Sequence, residues 1–193
     1  MTEFDVMKQQ LNDKNCFLGV LSAMAKMYLV CGASGCGKTT FARRYIEQGC
    51  LYFSPDSYYA LINGDAGRRE NLFEVWISLF VAIHVAEKCG RDCVVDTNAL
   101  TVGRRAQFLD WFPGFEHHLV YIEAEEDLRR KNNINRSRTI PEIIMDQMAQ
   151  ELVPVTPGED LRWNSISFWV NKENHFQPQW VWHPQTEAEH APT

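Results

Sequence analysis

The sequence has no Cys-x-x-Cys pair and no Cys/His spacing that suits zinc, although six cysteines (Cys16, Cys31, Cys36, Cys50, Cys89 and Cys93) are scattered along it. A zinc module is excluded on that ground. A chain of 193 residues is long enough to bury a core without disulfides, so a reducing, cytoplasmic setting is expected. Long apolar runs are also lacking. Residues 15–25 are mildly apolar but follow an acidic, polar start and lead into Lys26. They have neither the basic start of a signal peptide nor the length of a span, and no membrane partner is expected. The run LFEVWISLFVAIHVAEK from Leu72 contains Glu74 and His84, and reads as a buried helix. Basic charge is in deficit: a net charge of −6 excludes a surface that coats nucleic acid non-specifically. It leaves room for a local basic channel, and the arginines do cluster, at Arg43-Arg44, Arg68-Arg69, Arg104-Arg105 and from Arg129 to Arg138. No internal repeat is present.

What is there is an ordinary globular composition, 45% hydrophobic and 23% charged. Apolar runs of strand length alternate with helical segments. Strands are expected at Met27–Cys31, Cys50–Phe53, Cys93–Asp96 and His118–Ile122. Helices are expected over residues 38–48, 72–88, 104–111 and 125–131, with another opened by Pro141. That alternation predicts an α/β fold with a parallel sheet of about four to five strands flanked by helices. Three segments are expected: a helical N-terminal extension over residues 1–26, a main domain over 27–152, and a partly ordered tail over 153–193. Ser165–Val170 would supply one more strand, and the last ten residues read as disordered. Two readings stand for the tail tryptophans Trp163, Trp169, Trp180 and Trp182: packing on the domain edge, or contact with a partner.

Residues 32–39, GASGCGKT, match the phosphate-binding P-loop pattern G-x-x-x-x-G-K-[ST] in full, between an apolar strand and a helix. The chemistry needs those residue types. Gly32, Ala33, Ser34, Gly35, Cys36 and Gly37 let backbone N–H groups wrap a phosphate, and the helix that follows adds its positive end. Lys38 would reach the β- and γ-phosphates of ATP, with Thr40 beside it. The Thr39 hydroxyl would take one Mg²⁺ position. Cys36 reads as a tolerated small residue. No N-K-x-D guanine signature occurs, and the third strand ends in VVDTN (residues 94–98) where a mechanical ATPase would carry Asp-Glu. A kinase needs an acid to take the proton of the attacking hydroxyl and arginines to close over the γ-phosphate.

GASGCGKT, then FSPD (residues 53–56) after the second strand, then VVDTN, then an arginine-rich segment closing on IPEII (residues 140–144), resembles the kinase domain of phage polynucleotide 5′-kinase. The resemblance covers roughly residues 27–152. It implies a P-loop kinase-like fold with an arginine-bearing lid, transferring the γ-phosphate of ATP to the 5′-hydroxyl of DNA or RNA with Mg²⁺. It puts Asp56 on the general base and Lys38 and Thr39 on the ATP and Mg²⁺ residues. Asp96 falls on an acid supporting the site through the metal's water shell, and Arg136 or Arg138 on the phosphate-contacting lid arginine.

The residues leave rival readings open. Asp56 after Pro55 also suits a helix N-cap, and Asp96 a helix cap or an Asx turn. The lid arginines also suit a solvated face. One departure bears on the acceptor: the family carries an arginine three residues after the base, where this chain has Tyr59. Either Arg68 or Arg69 replaces that charge, or Tyr59 stacks on an acceptor that is not a polynucleotide. A small-molecule or nucleoside kinase, and a nucleotide-binding adaptor or ATPase without kinase activity, remain the alternatives. No D-x-D-x-[TV] phosphatase signature accompanies these motifs.

Overall fold

The structure is a computed structural model that describes residues 24–136 and 139–184. The expected N-terminal helix falls mostly, and the disordered last ten residues almost wholly, outside the described residues, as does Arg138.

Strand β1 (Lys26–Cys31) lies inside a sheet of six strands. It pairs in parallel with β3 (Cys93–Asp96) on one side and with β4 (Glu116–Ala124) on the other. The outer strand β2 (Leu51–Phe53) runs parallel to β3, and β5 (Ser165–Lys172) parallel to β4. The last strand, β6 (His175–Trp182), returns antiparallel to β5, giving the order β2-β3-β1-β4-β5-β6. This is the expected α/β P-loop kinase-like fold with one strand more than the sequence indicates. Strand β6 carries Pro178 among polar residues, which argues against a strand by pattern alone. The pairing tolerates it because β6 is an edge strand and its ladder shifts register between Phe168 and Trp169.

Among the described residues six helices flank the sheet: α1 (Lys38–Glu47), α2 (Pro55–Asn63), α3 (Leu72–Lys88), α4 (Val102–Trp111), α5 (Glu126–Ile134) and α6 (Glu142–Glu151). Side chains alternate along a strand, so β1 serves both faces. Met27, Leu29 and Cys31 join Leu79 and Ile83 of α3 and Phe108 of α4. Val30 joins Phe41 and Ala42 of α1 together with Val94, Val120 and Ile122. A strand buried on both faces needs the continuous apolar run that made it legible.

Helix α3 is only half buried. Val75, Leu79, Ile83 and Ala86 face the core, while Phe73, Ile77, Val81 and Val85 are exposed. As an outer layer it has the sheet on one side only, so the expected buried helix is buried along one face. Among the described residues no helix is long and apolar enough to cross a membrane. The tail tryptophans pack at the domain edge: Trp163 and Trp182 are buried, and Trp169 and Trp180 sit against the two core faces.

Candidate active site

The P-loop connects β1 to α1 at the C-terminal end of the sheet, where open α/β sheets bind ligands. Gly32, Gly35 and Gly37 have φ of 141°, 82° and 100°. A Cβ on Gly32 would stand 2.2 Å from the Ile122 carbonyl oxygen, so the loop closes over β4 only with glycine there. Ala33, Ser34 and Cys36 are buried in the loop wall, and Thr39 and Thr40 are exposed on the first turn of α1. The Lys38 ammonium lies over the loop, donating to the carbonyl oxygens of Gly32 (3.0 Å) and Ala33 (2.9 Å). Desolvation pushes the Cys36 thiol up, so this sulfur stays protonated and unreactive.

Asp96 ends β3 with the same parity as Val94, on the face that packs α1. Its Oδ2 accepts the Thr39 hydroxyl at 2.6 Å and the Tyr52 hydroxyl at 3.0 Å. Thr101, not Asp96, caps the next helix by accepting from the Arg104 N–H. Burial, with the charge of Asp96 close by, raises Tyr52 to about 12, so it remains a donor. Thr39 and Asp96 offer an all-oxygen donor set of the kind a hard divalent cation takes, and the pair fits Mg²⁺. Tyr52 was missed in the sequence: only the β2–β3 register, Tyr52 opposite Val94, brings its hydroxyl to Asp96.

Asp56 lies in the first turn of α2 but does not cap it. The cap is Ser54, whose Oγ accepts from the Ser57 N–H, with Pro55 opening the helix. The Asp56 carboxylate is thus left exposed at the positive end of α2 and accepts from the Arg69 guanidinium at 2.9 Å. Arg69 also stands over the Tyr59 ring, 4.2 Å from its centroid. Tyr59 is only 3% exposed, so the ring expected to meet an acceptor is covered by the arginine instead. Arg68 is exposed in the same loop, its carbonyl held by the Asn63 amide at 2.9 Å. Of the two arginines, Arg69 is the one whose guanidinium meets Asp56.

The arginine-rich segment joins α5 to α6 and reaches the P-loop from the other side. The buried Asn133 pins its base, donating to the Ile140 carbonyl (2.8 Å) and accepting from the Ile140 N–H (2.9 Å). Arg136 approaches Ser34 Oγ at 3.5 Å, the outer limit of a hydrogen bond. The Arg104-Arg105 cluster divides. Arg105 is fully buried and forms a bidentate pair with Glu159, both bonds 2.7 Å, while donating to the Val153 carbonyl at 3.0 Å. It ties the chain beyond α6 to the loop after β3 and is part of the core.

A P-loop lies between strand and helix, an acid ends the neighbouring strand β3, and Arg136 stands against the loop. Residues 27–155 match the family described as AAA domain. The chain belongs to that family. No curated protein matches it in sequence. Among solved structures, this AAA domain is similar to an unliganded sugar kinase from Janibacter sp. HTCC2649, with 16% identity and a TM-score of 0.56. That likeness covers 86% of this chain and 91% of the other. The Pnkp1/Rnl/Hen1 RNA repair complex gives 15% identity and a TM-score of 0.60 over 69% of this chain and 46% of that one. The PezAT toxin–antitoxin system of Streptococcus pneumoniae gives 17% and 0.61 over 100% and 84%. Likenesses at such identities establish the fold. The P-loop kinase-like fold of this AAA domain, with its loop, lysine and threonine in place, implies nucleotide binding.

Proposed function

We propose that the protein is an ATP-dependent kinase that phosphorylates a hydroxyl carried next to an anionic group, and that the acceptor is the 5′-hydroxyl end of DNA or RNA. One observation carries the reading: Asp56 and Arg69 stand together at 2.9 Å, exposed, at the start of the helix that follows the second strand. A carboxylate there can accept the proton of an attacking hydroxyl, and a guanidinium beside it can hold the phosphate next to that hydroxyl. Arg69 thereby supplies the charge that the sequence places nowhere within α2.

In the reaction, the acceptor oxygen forms a bond to the γ-phosphorus of ATP as the bond from that phosphorus to the β-bridging oxygen breaks. The acceptor proton passes to the Asp56 carboxylate, and ADP leaves. The P-loop N–H groups and Lys38 hold the phosphates, and Arg136, with Arg138 from the same segment, neutralises charge spreading over the γ-phosphoryl oxygens. Mg²⁺, when bound, offsets the charge between the β- and γ-phosphates. Thr39 would hold it directly, and Asp96 would orient Thr39 and the metal's water shell.

The test is transfer of labelled γ-phosphate from ATP to a 5′-hydroxyl oligonucleotide, run beside free nucleosides and sugars. Labelling of the oligonucleotide supports the proposal, and labelling of small molecules alone sinks its polynucleotide half. A small-molecule kinase is the second reading. It is favoured by the net charge of −6 and by the near full-length likeness to a sugar kinase.

A further inference from the structure

Two asparagines from separate elements, one on α5 and one on β5, hold the outside of the P-loop. The Asn132 amide, on α5, donates to the Gly35 carbonyl at 2.8 Å. The Asn171 amide, near the end of β5, donates to the Cys36 carbonyl at 2.9 Å. Asn171 is 1% exposed, and its own Oδ1 accepts from the Asn174 N–H at 2.7 Å. That last contact depends on the tight turn between β5 and β6, where Glu173 and Asn174 both have positive φ, 52° and 70°.

In a trans peptide group the C=O and the N–H lie in one plane and point in opposite directions. Holding the Gly35 and Cys36 carbonyls on the outside of the loop therefore turns the N–H groups of Cys36 and Gly37 toward its inner side, where the Cys36 N–H donates to the Ala33 carbonyl oxygen at a long 3.3 Å. Those are the groups a bound phosphate would use. Contact on the outer side is close. A Cβ on Gly35 would lie 2.4 Å from the Arg129 carbonyl oxygen, and one on Gly37 2.5 Å from the Asn171 amide nitrogen. The two supports are also joined, since Lys131 of α5 reaches Glu173 of the turn at 3.1 Å.

We propose that Asn132 and Asn171 are positioning residues for the phosphate cradle, setting its N–H groups before the nucleotide arrives. Neither residue belongs to the P-loop motif, and both bind its carbonyl oxygens. The proposal rests on the nucleotide-binding part of the function proposed above and not on the identity of the acceptor.

The experiment is the affinity for ADP with Mg²⁺, measured by titration calorimetry without any acceptor, alongside thermal unfolding. Asn132→Ala and Asn171→Ala should each weaken ADP by about tenfold, the scale of one lost hydrogen bond that orients a binding group. Asn132 is only half buried, so its truncation leaves the fold in place even if Asn171→Ala does not. Asn132→Gln keeps the amide donor and should recover most of the loss, a recovery that mere filling of space would not give. Folded Asn132→Ala protein that binds ADP within twofold of the wild type overturns the proposal. Wild-type protein that binds ADP but transfers no phosphate sinks the kinase reading alone, and wild-type protein that binds no ADP overturns both.

Discussion

The Arg69 guanidinium covers the Tyr59 ring at 4.2 Å from its centroid and donates to the Asp56 carboxylate at 2.9 Å. The tyrosine thus acts as a platform. It holds the guanidinium of an arginine that arrives from the following loop, a cation–π contact worth about 0.5–1 kcal/mol at an exposed site. Replacing Arg69 by Ala should lower kcat/KM for the acceptor by about a hundredfold, as for a lost charged contact to a phosphate, and leave KM for ATP unchanged. Arg69→Lys should recover little, because an ammonium neither stacks nor forks. Steady-state kinetics with each substrate varied in turn checks this, and a loss confined to ATP would remove Arg69 from the acceptor site.

Asp56→Asn keeps the shape of the side chain and removes the base. Turnover should fall by about two to four orders of magnitude while ADP affinity holds. Near-normal turnover would take Asp56 out of the chemistry.

Thr39 and Asp96 share a hydrogen bond of 2.6 Å at the edge of the cradle. Asp96→Asn should raise the Mg²⁺ concentration needed for half-maximal activity by about 10–100-fold, the usual size of such a supporting effect. An activity-against-Mg²⁺ titration is the check, and an unchanged midpoint argues that Asp96 serves only the packing of α1.

The buried Arg105–Glu159 pair predicts an asymmetry in stability. Arg105→Met leaves Glu159 charged and alone, and should cost about 3–5 kcal/mol in urea unfolding. Adding Glu159→Leu should restore much of that loss. Additive losses in the double variant would contradict it.

His117 predicts a pH dependence of stability. It is 5% exposed, between the rings of Phe115 and Trp163, and burial pushes its imidazole down to about 4 against the opposing pull of Glu87. An unfolded histidine takes its proton near the ordinary value of 6.5. Between those values the unfolded chain binds more protons than the folded one. Stability should therefore fall as pH drops from about 6.5 to about 4, by up to about 3 kcal/mol. His117→Phe should flatten this slope in urea midpoints taken at pH 7 and pH 5, and an equal slope in both proteins would rule His117 out as its source.

The sequence by itself determined the phosphate cradle and the layered architecture. GASGCGKT works through local backbone chemistry, glycines at positive φ followed by a helix start, and such chemistry is legible wherever it occurs. The buried parallel strands announce themselves as apolar runs because both of their faces are covered. Asp56 and Asp96 were legible as candidates because one follows and the other ends an apolar strand after the P-loop. Tertiary structure alone decided what these groups touch. Asn171 meets the P-loop across 135 residues and Asn132 across 97, and Tyr52 reaches Asp96 across 44. Strand order and register set those contacts, and no local pattern carries either. Strand β6 was hidden for a related reason: an edge strand need not be apolar, so Pro178 and its polar neighbours read as a tail. The same limit applied to Tyr59. Residue type showed a missing arginine, and only the folded loop returned one, as Arg69, to the place beside the carboxylate.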